Sequence, residues 1–204
     1  MSEEFFFSLD FKLPYYMRIM PFVFDRCKAS RYFSIQADEP PYTERNSWYA
    51  RAALNECKSA LDLIQVDMRT MGLLSDWKKS TEKEQLQDNV VIKMITCCRN
   101  LSFHTGSVAL KEQERLVRLI GPDESRLHNF KTLFIDGLSE NSIDKRVNLE
   151  THELETMTEI ADGIPLFMIL AECYKQMDIS LENFLIDHGK LDLDTHKQFW
   201  DRAD

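Results

Sequence analysis

The sequence predicts a mainly α protein, a helical bundle that carries a small β-hairpin insert. Apolar residues recur at intervals of three and four over residues 43–71 and again over 80–105, the period of a helix with one buried face. Between residues 107 and 148 the pattern changes to branched and aromatic residues around the turn sequence Gly121-Pro122-Asp123. The composition agrees: 44% apolar residues with only 6 Gly and 6 Pro supply a packed core and exclude collagen-like and disordered classes.

A chain of 204 residues fits one domain. It divides into an aromatic-rich N-terminal extension (1–42), two core helices, the β insert (107–148) and closing helices (149–204). In the extension, Phe5 to Leu9 reads as a short strand and Tyr15 to Phe33 as a helix or two pieces of one, with Pro14 and Pro21 as breakers. Ala37-Asp38-Glu39-Pro40-Pro41 is a loop. The next helix runs from about Thr43, a capping residue, to Met71, with Gly72 placed to end it. Ala50, Ala53, Leu54, Cys57, Leu61, Ile64 and Met68 form its stripe.

A second helix is expected from about Ser80 to Gly106, started by a capping box of Thr81 with Glu84 and lined by Leu86, Val90, Ile92, Met94, Ile95 and Cys98. Glu114–Ile120 and Asn129–Asp136 read as the hairpin strands. Leu149–Met177 reads as a long helix kinked at Gly163 and Pro165, followed by short helices near Ser180–Asp187 and Asp194–Ala203.

Charge and cysteine content narrow the function classes. The net charge of −9 argues against a generally basic nucleic-acid binder, but it is unevenly spread. Residues 1–150 hold 21 Lys+Arg against 22 Asp+Glu, while 151–204 hold 4 against 12. Arg115, Arg118, Arg126, His128 and Lys131 gather in the hairpin as candidate RNA-backbone contacts, with Glu112, Glu114, Asp123 and Glu124 as alternative salt-bridge partners. Lys78, Lys79 and Lys83 admit the same two readings. No run of 18 apolar residues spans a membrane, and the acidic start Met1-Ser2-Glu3-Glu4 is unlike a signal peptide, so a cytoplasmic protein is expected.

Five cysteines without a Cys-x-x-Cys pair fit reduced, buried thiols rather than a zinc site. Cys97-Cys98 reads better as core than as a redox switch. His152-Glu153 begins like a zinc-protease helix, but Thr156 stands where the second histidine is needed. Neither a metal nor another cofactor is expected.

The segment Arg99-Asn100-Leu101-Ser102-Phe103-His104 carries the strongest chemical signal. An arginine offers a fork of donors that fits phosphate oxygens. A histidine exchanges protons near neutral pH. Together they suit cleavage of RNA by its own 2′-hydroxyl, which needs a base, an acid and a stabiliser of charge on phosphorus oxygens. On an ideal helix, residues five apart point about 140° away from each other, so two copies of the helix across a two-fold axis explain the spacing better than one. The competing reading is that Arg99 and His104 are cations favoured at a helix C-terminus.

A long amphipathic helix followed by one ending in Arg-Asn-x-x-x-His resembles the HEPN domain superfamily, over roughly residues 43–106. Ala50, Ala52, Ala53, Leu54 and Glu56 resemble the family's earlier core helix, and Leu149–Met177 a further bundle helix. The resemblance implies a small helical bundle that dimerises, with the motifs of two subunits forming one site. It implies a metal-independent endoribonuclease of a toxin–antitoxin or phage-defence system, with RNA as substrate and an antitoxin or regulatory protein as partner. Arg99 would stabilise phosphate charge, His104 would act as general acid or base, and Asn100 would orient phosphate or His104. Other members of the family are non-catalytic modules that bind RNA, a nucleotide or a protein. Glu44, Arg45 and Glu56 are weaker candidates to support the site, better read as ordinary ion-pair residues.

Overall fold

A computed structural model describes residues 19–39, 41, 43–104, 109–120, 125–136, 138 and 149–192, with side chains left undescribed at 100–104, 109, 115–120 and 125–130. The elements are α1 (Pro21–Ala37), α2 (Glu44–Thr70), α3 (Leu74–Lys79), α4 (Thr81–Asp88), α5 (Val90–His104), β1 (Ala109–Ile120), β2 (Ser125–Asp136), α6 (Thr151–Gly163) and α7 (Leu166–Asp187). The described residues are mainly helical with one two-stranded antiparallel sheet, as the apolar periods and the turn sequence predict. The expected strand at Phe5–Leu9 and helix at Asp194–Ala203 lie outside the described residues.

Helices α1 and α2 form a hairpin pinned at both ends. Pro21 opens α1 rather than breaking it, because proline lacks only an N–H that the first helical turn leaves unpaired. The N-cap residue, Met20, makes no side-chain hydrogen bond to that turn. Asp67, 1% exposed near the far end of α2, does so instead, accepting from the amides of Val23 at 2.9 Å and Phe22 at 3.4 Å. Burial raises the Asp67 pKa, and these two amides pull it back down. At the corner, buried Asn46 donates to the carbonyls of Ala37 (3.0 Å) and Glu39 (2.7 Å) and accepts from the amide of Thr43 (2.8 Å). Thr43 is the N-cap, as expected. Gly72 ends α2 with φ at +76°, a conformation that favours glycine, while the Leu73 amide returns to the Met68 carbonyl at 2.8 Å.

The buried face of α2 contains Ala50, Ala53, Leu54, Cys57, Ala60, Ile64 and Met68. α7 supplies Leu166, Ile169, Leu170, Cys173, Tyr174, Met177, Leu181, Phe184 and Leu185 to the same core. A buried polar chain ties the three helices together: the Tyr174 hydroxyl donates to Ser30 Oγ, and Ser30 donates to the Ala53 carbonyl at 2.6 Å.

Four expectations need correction. The helix expected from Ser80 to Gly106 is two helices, α4 and α5. Asn89 takes an extended conformation (φ −65°, ψ 128°) and caps α5 through its side chain, which accepts from the Val91 amide at 2.9 Å. The N-cap of α4 is Ser80, accepting from the Lys83 amide at 3.1 Å, and not the expected pairing of Thr81 with Glu84. The helix expected over Leu149–Met177 is also two, because Pro165 cannot donate to a continuous ladder and holds Ile164 extended. Ser180–Asp187 is the last part of α7 and not a separate helix.

The hairpin is longer than expected, with register running from Ala109 opposite Asp136 to Ile120 opposite Ser125. Its base is fixed to the bundle. Leu133 and Ile135 enter the core, Thr132 donates to Asp38 at 2.5 Å, and Lys111 lies between Asp136 (3.1 Å) and Asp162 (3.3 Å). α3 was not expected. It buries Trp77, whose ring meets Phe184 edge-on with centroids 5.0 Å apart.

Replacing Asp67 by alanine leaves α1 without its cap and two amides unpaired, and should cost about 1–2 kcal/mol of stability in urea unfolding. Asp67→Asn, which keeps one acceptor oxygen, should cost less than half as much. Equal losses would show that the carboxylate charge, not the acceptor, holds α1.

Candidate functional site

The candidate site is built on α5. The first two-thirds of this helix is an anchor: Val91, Ile92, Met94, Ile95, Cys97 and Cys98 are all buried, against α2, α4, α6 and α7. Thr96 turns its hydroxyl onto the Ile92 carbonyl at 2.9 Å, a bond within the helix rather than toward a neighbour. Cys97 and Cys98 are fully buried and take part in no disulfide, and burial raises the Cys98 thiol well above its ordinary range. A thiol held protonated in this way is a packing residue, as read from the sequence.

Lys93 fixes α5 to α6. Its Nζ lies 2.6 Å from Glu153 Oε1, with side-chain exposures of 19% and 14%, and 3.9 Å from Asp88. Glu153 also accepts from the Glu150 amide at 3.0 Å, closing the first turn of α6. The Lys93 hydrogen bond is the main cause holding the Glu153 carboxyl below its ordinary pKa, with the Glu150 amide second. Glu153 thus has a structural role, and its neighbour His152 is exposed beside Glu150. Among the described residues, no group of three or more His, Cys, Asp or Glu side chains is arranged to hold a metal ion.

The motif follows the anchor without a break. Arg99 is half-buried, and the α-helical backbone continues through Asn100 to His104. The side chains of Asn100 and His104 lie outside what the structure describes, as does Gly106. The backbone itself fixes one point. An undistorted α-helix from residue 99 to residue 104 puts the two positions about 140° apart around its axis. One chain therefore does not present Arg99 and His104 positions on a common side of this helix.

The hairpin cations do not form one row. The register sets Arg115 opposite Phe130, Arg118 opposite Leu127, Arg126 opposite Leu119, His128 opposite Val117 and Lys131 opposite Glu114. With side chains alternating along strands, Arg115, Arg126 and His128 hold positions of one parity and Arg118 and Lys131 those of the other. Lys131 pairs with Glu112. Glu56 pairs with Arg26 at 2.9 Å and Arg45 lies over Tyr49, so both belong to surface contacts of α1 and α2.

Sequence reasoning missed a cleft of about 540 Å³ beside the anchor. It lies among α2 (Lys58, Asp62, Gln65), α3 (Trp77), α4 (Lys83, Gln87) and α5 (Lys93, Thr96). Lys58 pairs with Asp62, and Lys93 with Glu153, so most of its positive charge is already balanced. Two turns and one turn before Lys58 on α2, Arg51 Nε and Asn55 Oδ1 are buried without hydrogen-bond partners among the described residues. The sequence signal for this stripe is the 4-3-4 spacing of Arg51, Asn55, Lys58 and Asp62, polar residues set between apolar ones.

Comparison with protein-family models, with curated proteins and with solved structures finds no match to the chain.

The Lys93–Glu153 pair makes an acid-sensitivity prediction. Because the folded carboxyl titrates below its ordinary value, the pair's contribution is complete above the ordinary glutamate pKa and is lost as pH falls through the folded one. Glu153→Gln should cost about 1–2 kcal/mol at neutral pH, and the gap to wild type should close in acid. Urea midpoints measured from pH 7 down to pH 3 check this. A gap that stays constant would assign the cost to packing instead of charge.

Proposed function

We propose that the chain is a metal-independent endoribonuclease of the HEPN kind, acting as a cytoplasmic homodimer in a bacterial toxin–antitoxin or phage-defence system. The observation that carries this reading is the placement of Arg99-Asn100 and His104 at the end of a helix whose preceding turns are buried. A helix anchored in this way holds a catalytic group to a fixed position, which is what charge stabilisation and proton transfer at phosphorus demand. The angular separation of the two positions supports a shared site. Two copies packed through the ends of α5 let Arg99 of one meet the phosphate whose departing 5′-oxygen His104 of the other protonates. Among the described residues no helix is long and apolar enough to cross a membrane, which agrees with a cytoplasmic site of action.

The chemistry then follows from the residues. The 2′-hydroxyl of the substrate attacks the adjacent phosphorus while one His104 takes its proton. Arg99 neutralises the charge that grows on the phosphoryl oxygens. A second proton, from the other His104, goes to the departing 5′-oxygen. Asn100 orients the phosphate or the imidazole. The segment from Ile95 to Ser107 contains no Asp or Glu, so this scheme takes its charge stabilisation from Arg99 and not from a carboxylate-held ion pair.

The second reading is a non-catalytic module that binds a protein, RNA or nucleotide. Exposed aromatic and aliphatic side chains on the α1–α2 hairpin favour a protein partner: Phe22 (47%), Tyr32 (57%), Ile35 (53%) and Trp48 (58%).

Three measurements test the endoribonuclease reading. Arg99→Ala and His104→Ala should each lower RNA cleavage by about 10²–10⁴-fold while circular dichroism stays unchanged. Full activity in both variants would remove them from the chemistry. Cleavage should persist in EDTA, stop at a 2′-deoxy position, and leave a 2′,3′-cyclic phosphate and a 5′-hydroxyl. A magnesium requirement or 5′-phosphate products would overturn the mechanism. Light scattering should give a dimer at micromolar concentration, and a monomer that still cleaves RNA would overturn the shared site.

A further inference from the structure

The core joining α1, α2 and α7 holds a pair of thiols that the proposed chemistry does not use. Cys57 of α2 and Cys173 of α7 are fully buried and free. Their sulfurs are 3.4 Å apart, with the Cys57 thiol donating to the Cys173 sulfur across 116 residues of chain. Each sits on an anchored helical surface: Cys57 between Ala53 and Ala60, Cys173 between Leu170 and Met177, all buried. Forming a disulfide from this arrangement needs the sulfurs to close by about a further 1.4 Å.

We propose that Cys57 and Cys173 are a latent disulfide pair, which on oxidation joins α2 to α7 and leaves the core otherwise as it is. In the reaction the two S–H bonds break and one S–S bond forms, releasing two protons and two electrons. A peroxide accepts them and leaves as water; a small disulfide such as oxidised glutathione accepts them and leaves as two thiols.

The closed core opposes this reaction kinetically. Attack on an oxidant requires a thiolate. The hydrogen bond to Cys173 and burial together push the Cys57 thiol well above its ordinary pKa. Oxidation therefore proceeds when α7 parts from α2, or while the chain folds, and it responds to sustained oxidising conditions more than to a brief pulse. Once made, the bond closes a long loop and restricts the unfolded chain. Cys27 of α1 is the competing thiol, since it is buried in the same core and close enough to Cys57 for the Cys57 charge to bear on it.

The test uses the full chain in two arms. In the first, protein unfolded in urea is refolded with oxidised glutathione. Peptide mapping without reduction should show Cys57 linked to Cys173, the helical circular dichroism should match that of the reduced protein, and Tm should rise by about 5–10 °C and return on reduction. Cys57→Ser and Cys173→Ser should each abolish the rise, and Cys27→Ser should keep it. In the second arm, native protein meets hydrogen peroxide with and without sub-denaturing urea, and urea should speed the linkage several-fold. A Cys27–Cys57 link, glutathione adducts alone, or a link that lowers Tm would overturn the proposal. So would equal rates with and without urea. None of these readouts depends on RNA cleavage.

Discussion

The architecture depends on how closely other helices can approach α2. Along its buried face, Ala50, Ala53, Cys57 and Ala60 are small and fully buried, at spacings of three and four. Small side chains at these positions let the backbone of α2 come near enough for the Ser30 hydroxyl to reach the Ala53 carbonyl. Tyr174 reaches Ser30 in turn, and the Cys57 sulfur reaches Cys173. A larger residue at Ala53 would separate α1 from α2 and leave a buried hydroxyl pair without its acceptor, adding desolvation cost to overpacking. α7 is fixed by the same contacts, and α5 packs on both α2 and α7. The position of Arg99 in space is thus set by a row of alanines on another helix.

What could be read from the sequence divides along a physical line. The buried face of α2, its Thr43 cap and its glycine stop were legible because each is a local or periodic feature. The hairpin was legible from its turn residues, though not its length, because strand ends depend on pairing with a partner and not on the strand's own composition. The breaks at Asn89 and Ile164-Pro165 were misread as continuous or kinked helix. In both places the apolar period runs on across the break, so periodicity sees one helix where the chain turns a corner. Asp67 could not be recognised as the cap of a helix starting 46 residues earlier, since nothing in its own neighbourhood differs from an ordinary surface aspartate.

The site was legible as a motif and not as a geometry. Arg99 and His104 were chosen for their chemistry, and their angular relation followed from helical arithmetic, which the continuous backbone of α5 obeys. The hairpin cations were grouped by nearness in sequence, whereas strand alternation assigns them to two parities. The cleft beside α5 could not be seen at all in one dimension. It arises because α3 and α4 turn at Ser80 and α5 starts anew at Asn89, so that four helices meet around Lys58, Trp77, Lys83 and Lys93.

The buried chain from Tyr174 through Ser30 to Ala53 also bears on the order in which the molecule assembles. Ser30 and Ala53 are 23 residues apart, and the α1–α2 hairpin can close as soon as both helices have left the ribosome. Tyr174 is 144 residues from Ser30 and arrives only after the β-hairpin has been made. Until then the face of α2 that α7 will cover, with Cys57 among its residues, stands open to water. This late, long-range docking raises the contact order of an otherwise helical chain and slows it relative to a simple bundle. The nascent α1–α2 hairpin is accordingly the intermediate on which chaperones, or premature association with another copy, would act.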